Sequence, residues 1–296
     1  MKKDLINFCN LLNIENVGIT DANPHLEFEK CWSAQISKDY ISGFEEKDEK
    51  KRIYPKLTLP EAKSIIVCLF PFFAGEVEQS NLPKDALSID YHLIIKEKLE
   101  KISMFLKSNL NNFTYKCFVD NGPLNDRYLA YKSGLGFLGV NSHIITKKYG
   151  SYVFIGYILN NHPFEPDAPS TKTCYHCLRC LKSCPGQCIL ENNTINAKKC
   201  RSYITQKKNA LSDSEVEILK KASSIWGCTI CQDVCPHNKE VKKTPFKEFK
   251  ENLINRIDYD EIKKISNKEF MRRYKNRSFS WRGKKVLERN LEYLRD

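Results

Sequence analysis

Two cysteine runs constrain the fold of this chain more than any other feature of its sequence. The first run, from residue 174, is CYHCLRCLKSCP, and the second, from residue 228, is CTICQDVCP. In a run of this spacing, three thiolates hold one iron–sulfur cluster, and the fourth, before the proline, reaches a second cluster. The spacing therefore predicts a segment that folds around two clusters.

Two four-iron clusters need eight thiolates, and the two runs supply seven of them. Cys200 is the candidate for the eighth, since no other cysteine lies between Cys188 and Cys228, and Cys188 is then spare. Zinc is the competing interpretation, because paired C-x-x-C units also hold tetrahedral zinc. Zinc sites do not need a long run that ends in Cys-Pro. We therefore predict two 4Fe–4S clusters on Cys174, Cys177, Cys180, Cys184, Cys200, Cys228, Cys231 and Cys235.

Length and composition indicate a globular protein of about two domains. The chain has 296 residues, of which 41% are hydrophobic and 28% charged. No apolar run approaches the roughly 18 residues that a membrane span requires, and the first residues do not resemble a signal peptide. We therefore expect a cytoplasmic protein, where clustered cysteines indicate metal or redox chemistry rather than disulfides.

Positive charge is concentrated at the end of the chain. The formal net charge is +12, and residues 237–296 contain 18 Lys or Arg against 10 Asp or Glu. Such an excess is typical either of a solvated helical surface or of a surface that binds a polyanion such as nucleic acid. Composition alone does not separate the two.

Periodicity predicts an α+β fold. Residues 64–70 (SIIVCLF) and 115–119 have the composition of buried strands, and residues 91–110 have apolar side chains at helical spacing. Their alternation predicts an α/β-type domain over residues 1–165, with a proline-rich hinge near its end. A ferredoxin-like domain for two 4Fe–4S clusters (166–240) and a short basic helical segment (241–296) would follow.

A few titratable side chains are candidates for chemistry. Asp120 ends a predicted strand beside a Gly-Pro turn, so it either forms the turn or belongs to a site. Asp126 and Arg127 lie one helical turn further on and resemble an ordinary surface ion pair. Single histidines such as His92 and His143 are more often structural than catalytic.

The order of motifs resembles that of the epoxyqueuosine reductases, and the resemblance covers nearly the whole chain. The cysteine runs occur in many proteins, whereas the block around residue 120 and the SWRGKK motif are more specific. The matching stretches are Ser42-Gly43-Phe44-Glu45-Glu46, Asp90-Tyr91-His92, Val119-Asp120 with Gly122-Pro123-Leu124, Gly134-Leu135-Gly136-Phe137 and Ser280-Trp281-Arg282-Gly283-Lys284-Lys285.

The resemblance implies an activity and a cofactor. Members of that family reduce epoxyqueuosine at the wobble position of tRNA to queuosine, and the epoxide oxygen departs as water. They use cobalamin, bound between the N-terminal domain and the cluster domain and supplied with electrons by the clusters. The implied partners are tRNA bearing epoxyqueuosine and an external low-potential electron donor, with no membrane, and we expect a monomer.

The resemblance also implies roles for individual residues. One cluster would be held by Cys174, Cys177, Cys180 and Cys235, and the other by Cys184, Cys200, Cys228 and Cys231. Asp120 matches the proposed proton donor, and cobalamin contacts would fall on Arg52, Asp120, Ile144 and Ser202. Contacts with tRNA would fall on Lys208 and, through the basic tail, on Arg282, Lys284 and Lys285.

For Asp120 to act as an acid near neutral pH, its carboxyl must keep a proton. We expect desolvation between the corrin and the substrate base to raise the pKa of Asp120. Asp126 is the alternative acid, but pairing with Arg127 would favour its charged form and a structural role. The third candidate class is a histidine such as His143, or a bound water.

The chain departs from its relatives at three places. The stretch from residue 79 to 90 is short, Val140 stands where a lysine is common, and the chain stops where many relatives begin a C-terminal helical repeat domain. Two other functions remain open: a related cobalamin and iron–sulfur reductase acting on another substrate, as reductive dehalogenases do, and a ferredoxin-type electron carrier. The basic C-terminal region favours RNA over a small organic halide.

Overall fold

An antiparallel sheet of four strands lies at the centre of the computed structural model, which describes residues 1–190 and 193–295. The strands are β1 (Asn16–Asp21), β2 (Ser64–Pro71), β3 (Tyr115–Val119), β4 (Phe137–Leu138), β5 (Ile144–Ile145) and β6 (Val153–Asn160). The sheet has the order β1-β2-β6-β3, and β4 pairs with β5 in a separate hairpin. Every pairing between these strands is antiparallel.

The central strand β2 is buried along its whole length. Successive side chains of a strand point to opposite faces, so Ile66, Cys68 and Phe70 enter one hydrophobic core. Ile65, Val67 and Leu69 enter another. A strand covered on both faces has the continuous apolar sequence that predicted it, and the expected strand at residues 64–70 is confirmed.

Helices of 4 to 19 residues occur along the whole described chain. The helices are α1 (Lys2–Leu11), α2 (Leu26–Ser37), α3 (Glu49–Ile53), α4 (Tyr91–Asn109), α5 (Asp126–Lys132), α6 (Arg179–Ser183), α7 (Arg201–Ile204), α8 (Asp213–Lys220), α9 (Ile230–Asp233), α10 (Tyr259–Lys264), α11 (Asn267–Tyr274) and α12 (Lys284–Tyr293). In the described part of the chain, none of them is both long enough and apolar enough to cross a membrane.

Helix α4 packs directly on the sheet. Its buried side chains include Ile95, Leu99 and Ile102, at the helical spacing that predicted it. The contact is so close that a Cβ on Gly156 of β6 would lie 2.7 Å from a methyl carbon of Ile95. The helix begins at Asp90, whose carboxylate accepts a hydrogen bond from the backbone N–H of His92. This packing fixes the first turn of α4 beside the end of β3.

The sheet topology corrects one expectation. Alternating helices and strands suggested an α/β-type N-terminal domain, which implies parallel strands, but the described strands pair only antiparallel. The fold is therefore of the α+β class, with mixed helix and sheet. Periodicity could not show this, because strand direction depends on how the connecting helices return to the sheet.

The C-terminal residues contribute to hydrophobic cores rather than lying on the surface. Phe270, Phe279 and Leu287 are fully buried and pack in one cluster with Leu82 and Ile225. The segment from residue 79 to 90 joins this cluster through Leu82, Ala86 and Leu87, and its Asn81 side chain bonds both the N–H and the C=O of Ile257. The short segment therefore supports the C-terminal helices.

Candidate active site

Four cysteines from both runs form one group near the surface, here called the outer group: Cys174, Cys177, Cys180 and Cys235. Burial and, to a smaller extent, the neighbouring thiols Cys174, Cys180 and Cys177 raise the pKa of Cys235. These cysteines line one cavity together with Gly139, Val140 and Ile145. The member from the second run thus lies with three members from the first, as the family resemblance implies.

The remaining four of the eight predicted ligand cysteines form the inner group: Cys184, Cys200, Cys228 and Cys231. Burial, followed by the nearby thiols of Cys200, Cys228 and Cys184, raises the pKa of Cys231 well above its usual range. Within the described residues, no three His, Cys, Asp or Glu side chains converge on one point as ligands of a single metal ion.

Cys188 lies beside the inner group. Its Sγ is 3.4 Å from Sγ of Cys184, and its thiol also contacts Cys200. The sequence placed Cys188 near the clusters but outside the eight ligands, and that assignment stays a prediction. Val140, the residue that departs from the family pattern, is buried in the same hydrophobic cluster as Cys184 and Cys188. Val140 therefore packs in the same cluster as a thiol of each group, Cys180 and Cys184.

Arg201 is a buried cation next to the inner group that sequence reasoning missed. Its side chain is 1% exposed. It donates hydrogen bonds to the backbone carbonyls of Leu219, Gly227, Ala222 and Ser224. Arg201 thereby closes the loop that precedes Cys228 onto helix α7. The sequence signal that could have indicated Arg201 is its position directly after Cys200, a predicted cluster ligand.

Buried polar contacts join the second cysteine run to Ser151, which lies just before β6 of the central sheet. Gln232 donates a 2.7 Å hydrogen bond to the carbonyl of Ser151, and Asn238 accepts one from the N–H of the same residue. Asn141, in the β4–β5 turn, donates to the carbonyl of Cys231. The turn therefore contacts the inner group directly, and its next residue, Ser142, accepts a hydrogen bond from Arg127.

Asp120 stands at the end of β3 in a left-handed backbone conformation, with φ of 57°. Its carboxylate accepts a 2.6 Å hydrogen bond from the hydroxyl of Tyr91 and lies 3.6 Å from Nε2 of His92. Partial burial opposes ionisation, but the hydrogen bonds from His92 and Tyr91 prevail and lower the pKa of Asp120. The sequence did not show that two donors meet this carboxyl, and the upward pKa shift expected between corrin and substrate base stays a prediction.

His92 carries the matching proton. Burial would favour its neutral form, but the carboxylates of Asp120 and Asp90 raise the pKa of His92 to about 9. Nδ1 of His92 lies 2.8 Å from Asp90, so the imidazole bridges two carboxylates. At neutral pH the site therefore contains an imidazolium beside the Asp120 carboxylate. Sequence reasoning treated His92 as structural, although it lies in the quoted Asp90-Tyr91-His92 motif.

Asp126, by contrast, is the carboxyl whose pKa lies well above its usual range. Burial is the main cause, and the charge of Asp120 adds to it. Its Oδ1 is buried without a hydrogen-bond partner among the described residues. Arg127 instead donates to the carbonyl of Ser142. The expected Asp126–Arg127 surface pair is therefore wrong.

His143 is kept neutral, since burial and then the charge of Arg127 lower its pKa to about 3.

The residues expected to contact cobalamin come from three separate parts of the chain. Arg52 is buried, with its guanidinium 4.4 Å from the ring centre of Trp32, and the charges of Glu45 and Asp126 act on it. Ile144 is buried in β5. Ser202 lies in α7, beside Tyr203. The ring of Tyr203, the neighbour of Ser202, packs on the ring of Phe44. Phe44 precedes Glu45, whose charge acts on Arg52, so these contacts connect Ser202 to Arg52.

Unpaired buried polar atoms in this region fit a ligand rich in amides. Nε of Arg52, Oδ1 of Asp126 and Nε of Arg282 are all buried without partners among the described residues. Buried polar groups are normally hydrogen-bonded, and the amide side chains at the edge of a corrin ring offer both donors and acceptors. The residues present are therefore compatible with bound cobalamin.

The residues expected to meet tRNA are placed unequally. Lys208 and Lys285 are exposed. The guanidinium carbon of Arg282 lies 3.6 Å from the ring centre of Trp281, which is half-exposed. Lys284 donates to the backbone carbonyls of Lys263 and Ile265, and its side chain is only 11% exposed. Lys284 therefore has a role inside the fold and Arg282 is held against Trp281, whereas Lys208 and Lys285 extend into solvent.

Two family models match parts of the chain. One, described as a 4Fe-4S double cluster binding domain, matches residues 173–238. The other, described as epoxyqueuosine reductase QueG, DUF1730, matches residues 52–121.

Curated proteins similar to this chain are named epoxyqueuosine reductase. The Bacillus subtilis protein is 35% identical over 305 residues, which cover 98% of this chain and 77% of that protein. The Bacillus cereus protein is 34% identical over 302 residues, covering 98% and 78%. The protein of Atelocyanobacterium thalassa is 28% identical, and the match covers 94% of both chains.

Solved structures agree with these matches. An epoxyqueuosine reductase crystallised with a tRNA-Tyr epoxyqueuosine-modified stem loop has a TM-score of 0.91 and 33% identity, covering 99% of this chain and 80% of that one. The Bacillus subtilis enzyme with its catalytic aspartate loop swung out of the active site has a TM-score of 0.88, with 33% identity and the same coverage. A catabolic reductive dehalogenase has a TM-score of 0.50 at 12% identity over 81% of this chain and 32% of its own, which shows a shared fold alone.

Proposed function

We propose, from the premise that this chain belongs to the epoxyqueuosine reductase family, that it reduces epoxyqueuosine to queuosine in tRNA. The reaction consumes two electrons and two protons, converts the epoxide to an alkene and releases water. The observation that carries the proposal is one linked arrangement. The β4–β5 turn contacts the inner group, since Asn141 donates to the carbonyl of Cys231. The next residue, Ser142, accepts a hydrogen bond from Arg127, whose charge acts on Asp120, and Asp120 pairs with His92.

The enzyme uses two 4Fe–4S clusters and cobalamin. We assign one cluster to the outer group and the other to the inner group. Cobalamin, when bound, supplies cobalt in a low oxidation state, from which electrons reach the epoxide. Arg52, Ile144 and Ser202 would hold it, and the buried Nε–H groups of Arg52 and Arg282, which have no partner among the described residues, would supply donors for its amides. We assign Asp120 to the face where substrate and cofactor meet.

The chain itself must supply the proton that lets the epoxide oxygen depart. Positioned acids typically contribute about 10² to 10⁴ in rate. Asp120 is our candidate, and His92 holds a proton 3.6 Å from its carboxylate. We propose that the pair delivers this proton through Asp120. Asp120 is half-exposed, so a substrate base that covers it would desolvate the carboxylate and raise its affinity for the proton.

The exposed basic residues fit the phosphate backbone of an RNA stem loop. Lys208 and Lys285 extend into solvent, and Arg289 donates to the carbonyls of Lys207 and Asn209, which joins the Lys208 loop to α12. The half-exposed ring of Trp281 offers a platform on which an unpaired base can stack. We therefore propose that tRNA lies along this surface.

A cytoplasmic monomer supplied with electrons by an external low-potential donor completes the proposal. Substrate tRNA is present in the cytoplasm, and clustered reduced thiols persist there.

The decisive experiment measures the product. Protein purified without oxygen is analysed for corrin, iron and sulfide and is then incubated with dithionite and epoxyqueuosine-containing tRNA. Mass spectrometry of the released nucleosides should show loss of one oxygen atom. Corrin with no conversion of tRNA, but with release of halide from an organohalide, would identify the related reductase instead. Protein that contains iron and sulfide but no corrin would instead be identified as an electron carrier.

A further inference from the structure

The first cysteine run lies on the surface of the protein instead of being covered by it. Residues 171–173 and 175–179 are exposed, and Cys174 between them is partly buried. Cys177 itself is exposed. Most ligands of a redox centre are shielded by protein, so an exposed ligand shortens the path from solvent to the centre. The outer group is therefore the more accessible of the two.

Two apolar side chains stand beside the exposed ligand. Tyr175 is 70% exposed and Leu178 is 37% exposed. The ring of Tyr175 stacks on His237 at 4.0 Å, so it is held in place. Both side chains line the cavity of the outer group. Exposed and rigid aromatic residues are typical anchors of protein–protein contacts.

The border of this apolar patch is positively charged. Lys172, Arg179 and Lys182 are all exposed. From residue 168 to residue 190 the sequence contains no Asp or Glu. Lys239, two residues beyond the His237 that stacks on Tyr175, is exposed as well. The exposed Glu240 follows Lys239, so the border is mainly positive. An apolar centre with a mainly positive border favours an acidic partner, because complementary fields accelerate encounter.

We propose that this patch, the donor surface, docks a small acidic electron-carrier protein that reduces the enzyme through the outer group. The donor surface consists of Lys172, Tyr175, Leu178, Arg179, Lys182 and Lys239. In each encounter one electron moves: the carrier is oxidised by one electron, and the cluster-loaded enzyme is reduced by one. The assignment deepens the proposed function and rests on it for the use of the electrons.

The test uses the cluster-loaded enzyme and a reduced acidic flavodoxin as the donor. Stopped-flow absorbance measures the second-order rate of enzyme reduction as salt is increased. The double variant Arg179→Glu, Lys182→Glu should be reduced at least about tenfold more slowly at low salt, with a weaker salt dependence, since steering contributes about 10 to 10³. Iron content and reduction by dithionite, a small reductant that needs no docking, should be unchanged.

The matched control is Lys3→Glu, Lys107→Glu, which changes the net charge equally at exposed positions of α1 and α4. One change lies near a helix N-terminus and the other near a C-terminus, so their effects on the helix dipoles oppose each other. The control should be reduced at the wild-type rate. Tyr175→Ala should weaken binding of oxidised flavodoxin in titration calorimetry, and Tyr175→Phe should restore it.

Three results would overturn the donor surface. They are a wild-type rate that does not depend on salt, a double variant within twofold of the control, or a double variant that loses tRNA affinity but keeps its reduction rate. The last would make the patch an RNA surface. Turnover of epoxyqueuosine with dithionite is measured in parallel. If wild-type enzyme fails there, the proposed function fails whatever the flavodoxin rates; if it succeeds, only the docking assignment is at risk.

Discussion

The hydroxyl of Tyr91 donates a 2.6 Å hydrogen bond to Oδ2 of Asp120, and this contact joins the first turn of α4 to the end of β3. Asp120 has a left-handed backbone, and the next turn is tight, because Gly122 donates to the carbonyl of Asp120. A Cβ on Gly122 would lie 2.3 Å from the hydroxyl oxygen of Tyr157. Two independent restraints, one on the backbone and one on the side chain, thus fix the carboxylate.

Replacing Asp120 by Asn should slow turnover of epoxyqueuosine tRNA at least about a hundredfold, because the amide keeps the shape but cannot deliver a proton. Clusters, cobalamin and tRNA should still bind. Asp126→Asn is the comparison variant: burial raises the pKa of Asp126 well above the usual range and favours its neutral carboxyl, so a neutral amide should slow turnover less than Asp120→Asn does. Near-normal turnover of a fully loaded Asp120→Asn enzyme would transfer the role to Asp126, His143 or a bound water.

The imidazole of His92 should titrate near pH 9 in the folded enzyme, because Asp120 and Asp90 stabilise its charged form. Its folded pKa is above the unfolded value of about 6.5. The interaction therefore stabilises the fold fully below about pH 6.5 and is lost as pH rises through about 9. Proton NMR of the ring across this range measures the pKa directly. Asp120→Asn should lower it, and a wild-type value near 6.5 would refute the ion pair.

Cys200→Ala should remove about half of the iron, because the inner group loses one of its four thiolates. Cys188→Ala should leave the iron count unchanged, although Cys188 Sγ is 3.4 Å from Cys184. Iron and sulfide analysis of protein purified without oxygen distinguishes the two variants. An essential Cys188 together with a dispensable Cys200 would reverse the assignment.

Arg201→Met should destabilise the cluster-loaded protein by at least about 3 kcal/mol, because several buried carbonyls lose their donor and each costs about 1 to 3. The carbonyls of Leu219, Gly227 and Ala222 are among them. The variant should also lose iron faster during urea unfolding, since the loop before Cys228 is released. Arg179→Met, an exposed arginine between two ligands, should change stability by no more than about 0.5 kcal/mol. Equal stability of both variants would argue against a structural role for Arg201.

The paired change Lys208→Ala, Lys285→Ala should weaken tRNA binding and flatten its salt dependence. Each phosphate contact that is removed should lower the slope of log affinity against log salt by about 0.7 to 0.9. Lys284 is left in place, because its bonds to two carbonyls make it part of the fold. Lys3→Ala, Lys107→Ala removes the same charge elsewhere, and fluorescence anisotropy with a labelled stem loop compares the two. Identical slopes would place the RNA on another surface.

Sequence patterns predicted the local features well. The strand at residues 115–119 is present as expected, and the helix expected at residues 91–110 is present as Tyr91–Asn109, capped by Asp90. Each depends on residues that are close in the chain, where spacing and capping determine structure. The grouping of Cys235 with the first run was implied by family resemblance and not by spacing, because it depends on how a distant loop returns.

The site chemistry could not be predicted in the same way. The pKa of His92 depends on Asp120, which is 28 positions away and reaches it only because α4 packs across the sheet. The burial of Oδ1 of Asp126 could not be predicted for the same reason, because the Asp126–Arg127 sequence is typical of a helix surface. Charges that meet through tertiary packing leave no periodic signal, so their pKa values follow only from the assembled fold.

The exchange of one thiol between the two cysteine runs imposes an order on biogenesis. Neither group is complete until the ribosome has synthesised the second run, since the outer group lacks Cys235 and the inner group lacks Cys228 and Cys231. On our proposed assignment, both clusters can be inserted only after residue 235 has been synthesised, when every strand of the central sheet, the last of which ends at Asn160, has already been made. A nascent chain truncated between the runs has neither ligand set complete, so a half-assembled redox unit is avoided by connectivity alone.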